Sequence, residues 1–63
     1  MTYVLRTYKD NDGNIAEIEQ DKYSACFRLD VHGKYVHERR DYYSTIKSAH
    51  NYLIKHYPTM KRI

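Results

Sequence analysis

From Tyr23 to Val31 the chain alternates apolar and polar residues, and no other run constrains the fold as tightly. Tyr23, Ala25, Phe27, Leu29 and Val31 fall on one side, and Ser24, Cys26, Arg28 and Asp30 on the other. Side chains of an extended strand point alternately to opposite faces, so the run predicts a strand with one covered and one open face. An antiparallel sheet is the usual setting for such a strand, with the core on one face and solvent on the other.

Turn signals place further strands around it. Asp12-Gly13, between strand-like stretches, marks a hairpin joining strands near 3–9 and 14–20. A tight turn there pairs Thr7 with Ile18, Arg6 with Glu19 and Leu5 with Gln20. Tyr3, Leu5, Ala16 and Ile18 then share one face, and Val4, Arg6, Tyr8, Glu17 and Glu19 the other. Ile15 falls on the wrong face, which signals a bulge or a longer loop. His32-Gly33 predicts a second tight turn, with Lys34–Arg40 returning as a fourth strand. That turn pairs Asp30 with Tyr35, Arg28 with His37, Cys26 with Arg39 and Leu29 with Val36. The result is an apolar face of Ala25, Phe27, Leu29, Val31 and Val36 and a polar face of Arg28, Asp30, Tyr35, His37 and Arg39.

A helix near 44–57 follows. Ser44 is the expected N-cap, and Ile46, Ala49, His50, Leu53, Ile54 and Tyr57 recur at helical spacing. Pro58 stops the helix, and Lys55 and His56 suit the negative end of its dipole. Residues 59–63 read as a basic tail, frayed unless Met60 and Ile63 dock. The expected fold is α+β: an antiparallel sheet in the order ββββα, with one C-terminal helix on one face, in a single domain spanning 1–63. A three-stranded version, with 14–20 irregular, is the alternative.

Composition narrows the function. A chain of 63 residues buries a modest fraction of its surface and has little room for an enclosed substrate pocket. One cysteine, Cys26, excludes an internal disulfide and a multi-cysteine zinc site. The chain opens on no secretory signal and holds no apolar run long enough to span a membrane, so an intracellular, cytoplasmic setting is expected. His50 and His56 are six apart, not the three or four that bring ligands together on a helix, and no metal or cofactor is expected. Asp10-Asn11-Asp12-Gly13 resembles part of a calcium loop, but aligning Gly13 with that loop's glycine puts Tyr8 at the first ligand position. No glycine-rich phosphate loop exists, and Cys26 on a strand lacks an oxyanion donor, so the protein is not expected to be an enzyme.

Charge is uneven. Eleven Lys and Arg against eight Asp and Glu give a net +3. Residues 1–21 sum to −3 and residues 22–63 to +6. A basic lobe of this kind favours an acidic partner such as nucleic acid. Eight tyrosines are more than so small a core can enclose, and exposed tyrosine suits interfaces.

The stretch from Tyr23 to Leu53 also resembles the ββα pattern of AP2-type DNA-binding domains and of the arm-binding domains of tyrosine recombinases. The resemblance rests on Tyr23-Ser-Ala-Cys-Phe27, on the turn His32-Gly33-Lys34, on Tyr43-Ser44-Thr45 leading into the helix, and on Ala49, Tyr52 and Leu53. It implies that the outward sheet face enters a DNA groove, and so implies Arg28, Tyr35, His37 and Arg39 as contact residues. The chain departs from the pattern in lacking a strand tryptophan and in carrying an acidic first hairpin. The expected function is therefore binding: nucleic acid through Arg28, Tyr35, His37 and Arg39, or alternatively a host protein, in the manner of small phage inhibitors and adaptors, through exposed tyrosines and arginines. A free sheet edge offers a route to a homodimer.

Overall fold

The computed structural model describes residues 2–23 and 25–63. Five strands and one helix follow in the order β1 (Thr2–Lys9), β2 (Ile15–Asp21), β3 (Phe27–His32), β4 (His37–Tyr43), α1 (Ile46–His56) and β5 (Lys61–Arg62). They form one antiparallel sheet, ordered β4-β3-β2-β1-β5, with α1 lying across β2, β3 and β4. The α+β class and the antiparallel sheet stand as the alternation predicts, but the sheet has five strands instead of three or four. The extra strand is the expected tail. Lys61 and Arg62 pair with Lys9 and Tyr8, and the Ile63 amide donates to the Thr7 carbonyl at 2.9 Å. An otherwise unpaired edge of β1 captures the chain, and Met60 enters the core while the Ile63 side chain stays 75 % exposed.

The first hairpin turns through a longer loop than expected, and this moves its register by one residue. Gly13 takes φ +84, a conformation open to glycine, and the Asp10 amide donates to the Asn14 carbonyl at 3.2 Å. The Asp10 carboxylate fixes the loop by accepting from the amides of Asp12 and Asn14 at 3.0 and 2.9 Å. Thr7 therefore pairs with Glu17 and Tyr8 with Ala16. A one-residue slip reverses the side chains of β1, so Tyr8 and Arg6 join Ala16 and Ile18 on the helix side of the sheet, and Ile15 lies on the open face opposite Lys9. A bulge between Val4 and Arg6 then reverses β1 again, leaving Tyr3 opposite Gln20.

β3 is shorter than the alternation suggests, because a hairpin must spend residues turning. Asp21 Oδ1 accepts from the Tyr23 amide at 2.9 Å, which breaks the strand after Asp21. Tyr23 and Ala25 are consequently exposed in the connection instead of lying on the apolar face. Ser24, expected on the polar side, lies outside the described residues. The next turn is also longer. Gly33 to Val36 form the loop, closed by the Gly33 amide on the Val36 carbonyl at 2.9 Å, and β4 begins at His37 instead of Lys34. Asp30 thus pairs with Arg39 and His32 with His37. The displacement is four residues, an even number, so His37 and Arg39 keep their expected face; a bulge then shifts the register beyond Arg40 and sets Tyr43 opposite Phe27.

The helix starts one residue later than expected. Thr45, not Ser44, is the N-cap: its backbone is extended and its Oγ1 accepts from the Ser48 amide at 3.0 Å. The expected stripe faces the sheet, with Ala49 and Leu53 fully buried. Tyr8, Ala16, Ile18, Leu29, Val31 and Met60 complete the core, flanked by Phe27, Val36, Tyr43, Ile46, Tyr52, Ile54 and Tyr57.

Candidate functional site

The face of the sheet away from α1 carries charges of both signs, acidic along its centre and basic toward β4. Across the strands, Glu19 faces Arg28, Glu17 faces Asp30, and Asp30 faces Arg39. Toward the loop end, Ile15 faces His32 and His32 faces His37. Arg28 Nη1 lies 3.9 Å from Glu19 Oε1, His32 Nε2 3.6 Å from Glu17 Oε1, and His37 Nε2 3.8 Å from Asp30 Oδ1. The middle of the face is acidic. Burial pushes the Glu19 carboxyl above its ordinary range, and the neighbouring charges of Glu17 and Asp30 push it further, against the pull of Arg28 and Arg39.

Of the four expected contact residues, three share this face. Arg28 is packed into it, its side chain 21 % exposed, with a buried Nε that has no hydrogen-bond partner among the described residues. His37 and Arg39 are exposed. Tyr35 is not on the sheet: with the longer turn it stands in the loop, 89 % exposed, with Lys34 Nζ 5.3 Å from its ring centre. There it forms one wall of a cleft of about 350 Å3 whose other lining residues are Asp12, Asn14, Lys34 and Val36.

The two hairpin loops that make this cleft pack against each other. Asn14 Nδ2 donates to Asp10 Oδ2 at 3.0 Å, and the Asn14 side chain lies where a Cβ on Gly33 would stand. Only glycine permits that approach. Asp12, Asn14 and Lys34 were not expected at a site. Their signal is topological, since the β1–β2 and β3–β4 turns of a meander necessarily emerge at the same end of the sheet.

A second constellation lies on the helix side of β4. Glu38 accepts from the hydroxyls of Tyr52 and Tyr57 at 2.9 and 3.3 Å and from Arg40 Nε and Nη2 at 3.2 and 3.1 Å. Burial acts to raise the Glu38 carboxyl, but the Tyr52 hydroxyl and Arg40 outweigh it and hold it below its ordinary range. Burial raises the Tyr52 and Tyr57 hydroxyls, reinforced by Glu38. The Arg40 guanidinium stacks 4.4 Å from the Tyr52 ring centre and donates to the Tyr42 hydroxyl at 2.6 Å. This network explains much of the tyrosine content: it joins an edge strand to the helix.

Cys26 is exposed in the connection before β3 and does not oppose Arg39, which faces Asp30. Among the described residues no group of three His, Cys, Asp or Glu is placed to hold a metal ion, and no helix is long and apolar enough to cross a membrane. No protein-family model matches the chain, and no curated protein or solved structure matches it.

Proposed function

We propose that this chain is a small non-enzymatic protein-binding module, of inhibitor or adaptor type, that meets its partner with the open sheet face and the adjoining loop cleft. The observation that carries this reading is one surface on which the cluster of Glu17, Glu19 and Asp30 is flanked by Arg28, Arg39, His32 and His37. A surface with an acidic centre and basic flanks selects a complementary protein surface and rejects others. A phosphate backbone asks instead for a continuous positive stripe. Tyr35 is the anchor: a rigid aromatic side chain standing proud of the surface beside a cleft is the usual composition of an interface hot spot. Arg39 and His37 supply the polar rim.

Nucleic-acid binding is the second reading. It draws on the loop-end row, where Lys61 pairs with Lys9 and His32 with His37, with only Ile15 between them. Titrating the isotope-labelled protein with duplex and single-stranded oligonucleotides, at low and at physiological salt, separates the two. The protein-binding reading expects weak, unsaturable shifts. A saturable response at His37, Arg39 and Tyr35 that falls steeply with salt would reject it in favour of nucleic acid. In the positive arm, a photocrosslinking residue at Tyr35 should capture a protein that Arg39→Glu no longer retains.

A further inference from the structure

On the helix side of the sheet, β1 and the first half of α1 enclose a concavity of about 240 Å3 lined by Arg6, Ile46, Lys47 and His50. None of the lining residues is acidic. Arg6 reaches it because the hairpin register turns this residue to the face of Ile18, on the helix side of the sheet. Lys47 stands in the first turn of α1, a turn with no acidic residue. A cation at the positive end of a helix dipole is unfavourable. Among the described residues neither Arg6 nor Lys47 takes part in an ion pair.

His50 is held in place from below. The Tyr8 hydroxyl, on a side chain only 1 % exposed, lies 2.8 Å from His50 Nδ1. With the phenol donating to Nδ1 the neutral imidazole carries its proton on Nε2, and a charged ring carries one on both nitrogens. In either of these forms the ring that lines the concavity offers Nε2–H as a donor. The helix terminus is not itself the recognition element, since Thr45 Oγ1 already accepts from the Ser48 amide.

We propose that this concavity binds a phosphate group, carried by inorganic phosphate or by a small phosphomonoester. Arg6 provides a planar fork for two oxygens, Lys47 a point charge, and His50 a third donor. An anion there relieves the unfavourable placement of Lys47 and the proximity of two uncompensated cations. The size of the concavity suits a small anion, since pockets for larger organic ligands run to roughly 300–1,000 Å3. The site lies on the other side of the sheet from the open face, so it stands or falls separately from the protein-binding reading.

The test is an amide-shift titration of the labelled full chain with sodium phosphate and, separately, with phenyl phosphate, against sodium chloride at matched ionic strength. The expected result is a saturable shift at Arg6, Ile46, Lys47 and His50 that leaves Arg39 and Tyr35 unmoved. Lys47→Ala, on an exposed side chain, should weaken binding by about tenfold. Arg6→Ala should do at least the same, and Arg39→Ala should change nothing. Saturation by both ligands, tighter with phenyl phosphate, assigns an organic monoester; equal affinity assigns phosphate itself. The proposal is overturned by the absence of a saturable shift, or by one that persists unchanged in a folded Lys47→Ala protein.

Discussion

Glu38 receives two tyrosine hydroxyls and an arginine at once, which makes stability depend on its charge. Its carboxyl is held below the ordinary value of 4.5, so the stability it contributes is present above that pH and is lost as pH falls below it. The Tyr52 and Tyr57 hydroxyls are raised above 10.0, so their contribution is present below that pH and is lost as pH rises past it. Glu19 works in the opposite sense. Its carboxyl is raised above 4.5, so ionisation at neutral pH costs stability that acidification first returns. The expected profile is a plateau that holds on mild acidification and falls below about pH 4.5 as Glu38 protonates. Glu38→Gln keeps the shape but removes the titration, so it should flatten the acid limb while lowering the plateau. Denaturant midpoints across this range check it, and parallel acid limbs in the two proteins would refute the assignment. Asp10 is lowered too, by its bonds from Asn14 and Asp12 working against burial, and an Asp10→Asn control separates its share.

At the scale of elements, the helix cap offers a sharp comparison between neighbouring hydroxyls. Thr45 Oγ1 accepts from the Ser48 amide, and Ser44 is exposed outside the helix. Thr45→Ala should therefore cost about 1 kcal/mol and Ser44→Ala only a few tenths. Thermal or denaturant melts of the two variants measure the difference directly. The sequence could place a hydroxyl cap within one residue but could not choose between adjacent candidates, because the choice depends on which backbone turns first. Strand faces were more legible than strand partners. The alternation of Phe27, Leu29 and Val31 fixed the covered side of β3, and an even displacement kept His37 and Arg39 on the open side. Register depended on loop length, which Asp10 and Gly33 set through contacts invisible in a linear pattern. That is why Tyr8 was expected outside and is buried, and why Tyr35 was expected on the sheet and stands in the loop. Lys61 and Arg62 carry no strand pattern at all; β1 recruits them. The outer edge of β4 presents Glu38, Arg39, Arg40 and Asp41, and charges of this density discourage a second sheet from adding there.

Among the described residues α1 covers one face of the sheet, so the open face has to serve stability and recognition together. Its arginines divide those tasks. Arg28 is packed among its neighbours, 3.9 Å from Glu19, with a guanidinium nitrogen shut away from solvent. With its side chain only 21 % exposed, its aliphatic stem covers part of the open sheet face. Arg39, at the edge strand, is exposed and pairs across from Asp30 without burying itself. Truncating the two should therefore have opposite signatures. Arg28→Ala uncovers that surface and leaves Glu19 among Glu17 and Asp30, and should cost about 1–2 kcal/mol. Arg39→Ala should stay within about 0.5 kcal/mol of wild type in stability. In a partner-binding measurement the order reverses, because only Arg39 can reach across an interface without leaving a buried charge behind. A melt and a binding isotherm on each variant settle the division. If Arg39→Ala proves as destabilising as Arg28→Ala, the open face is a structural layer and the contact surface contracts to the cleft beside Tyr35.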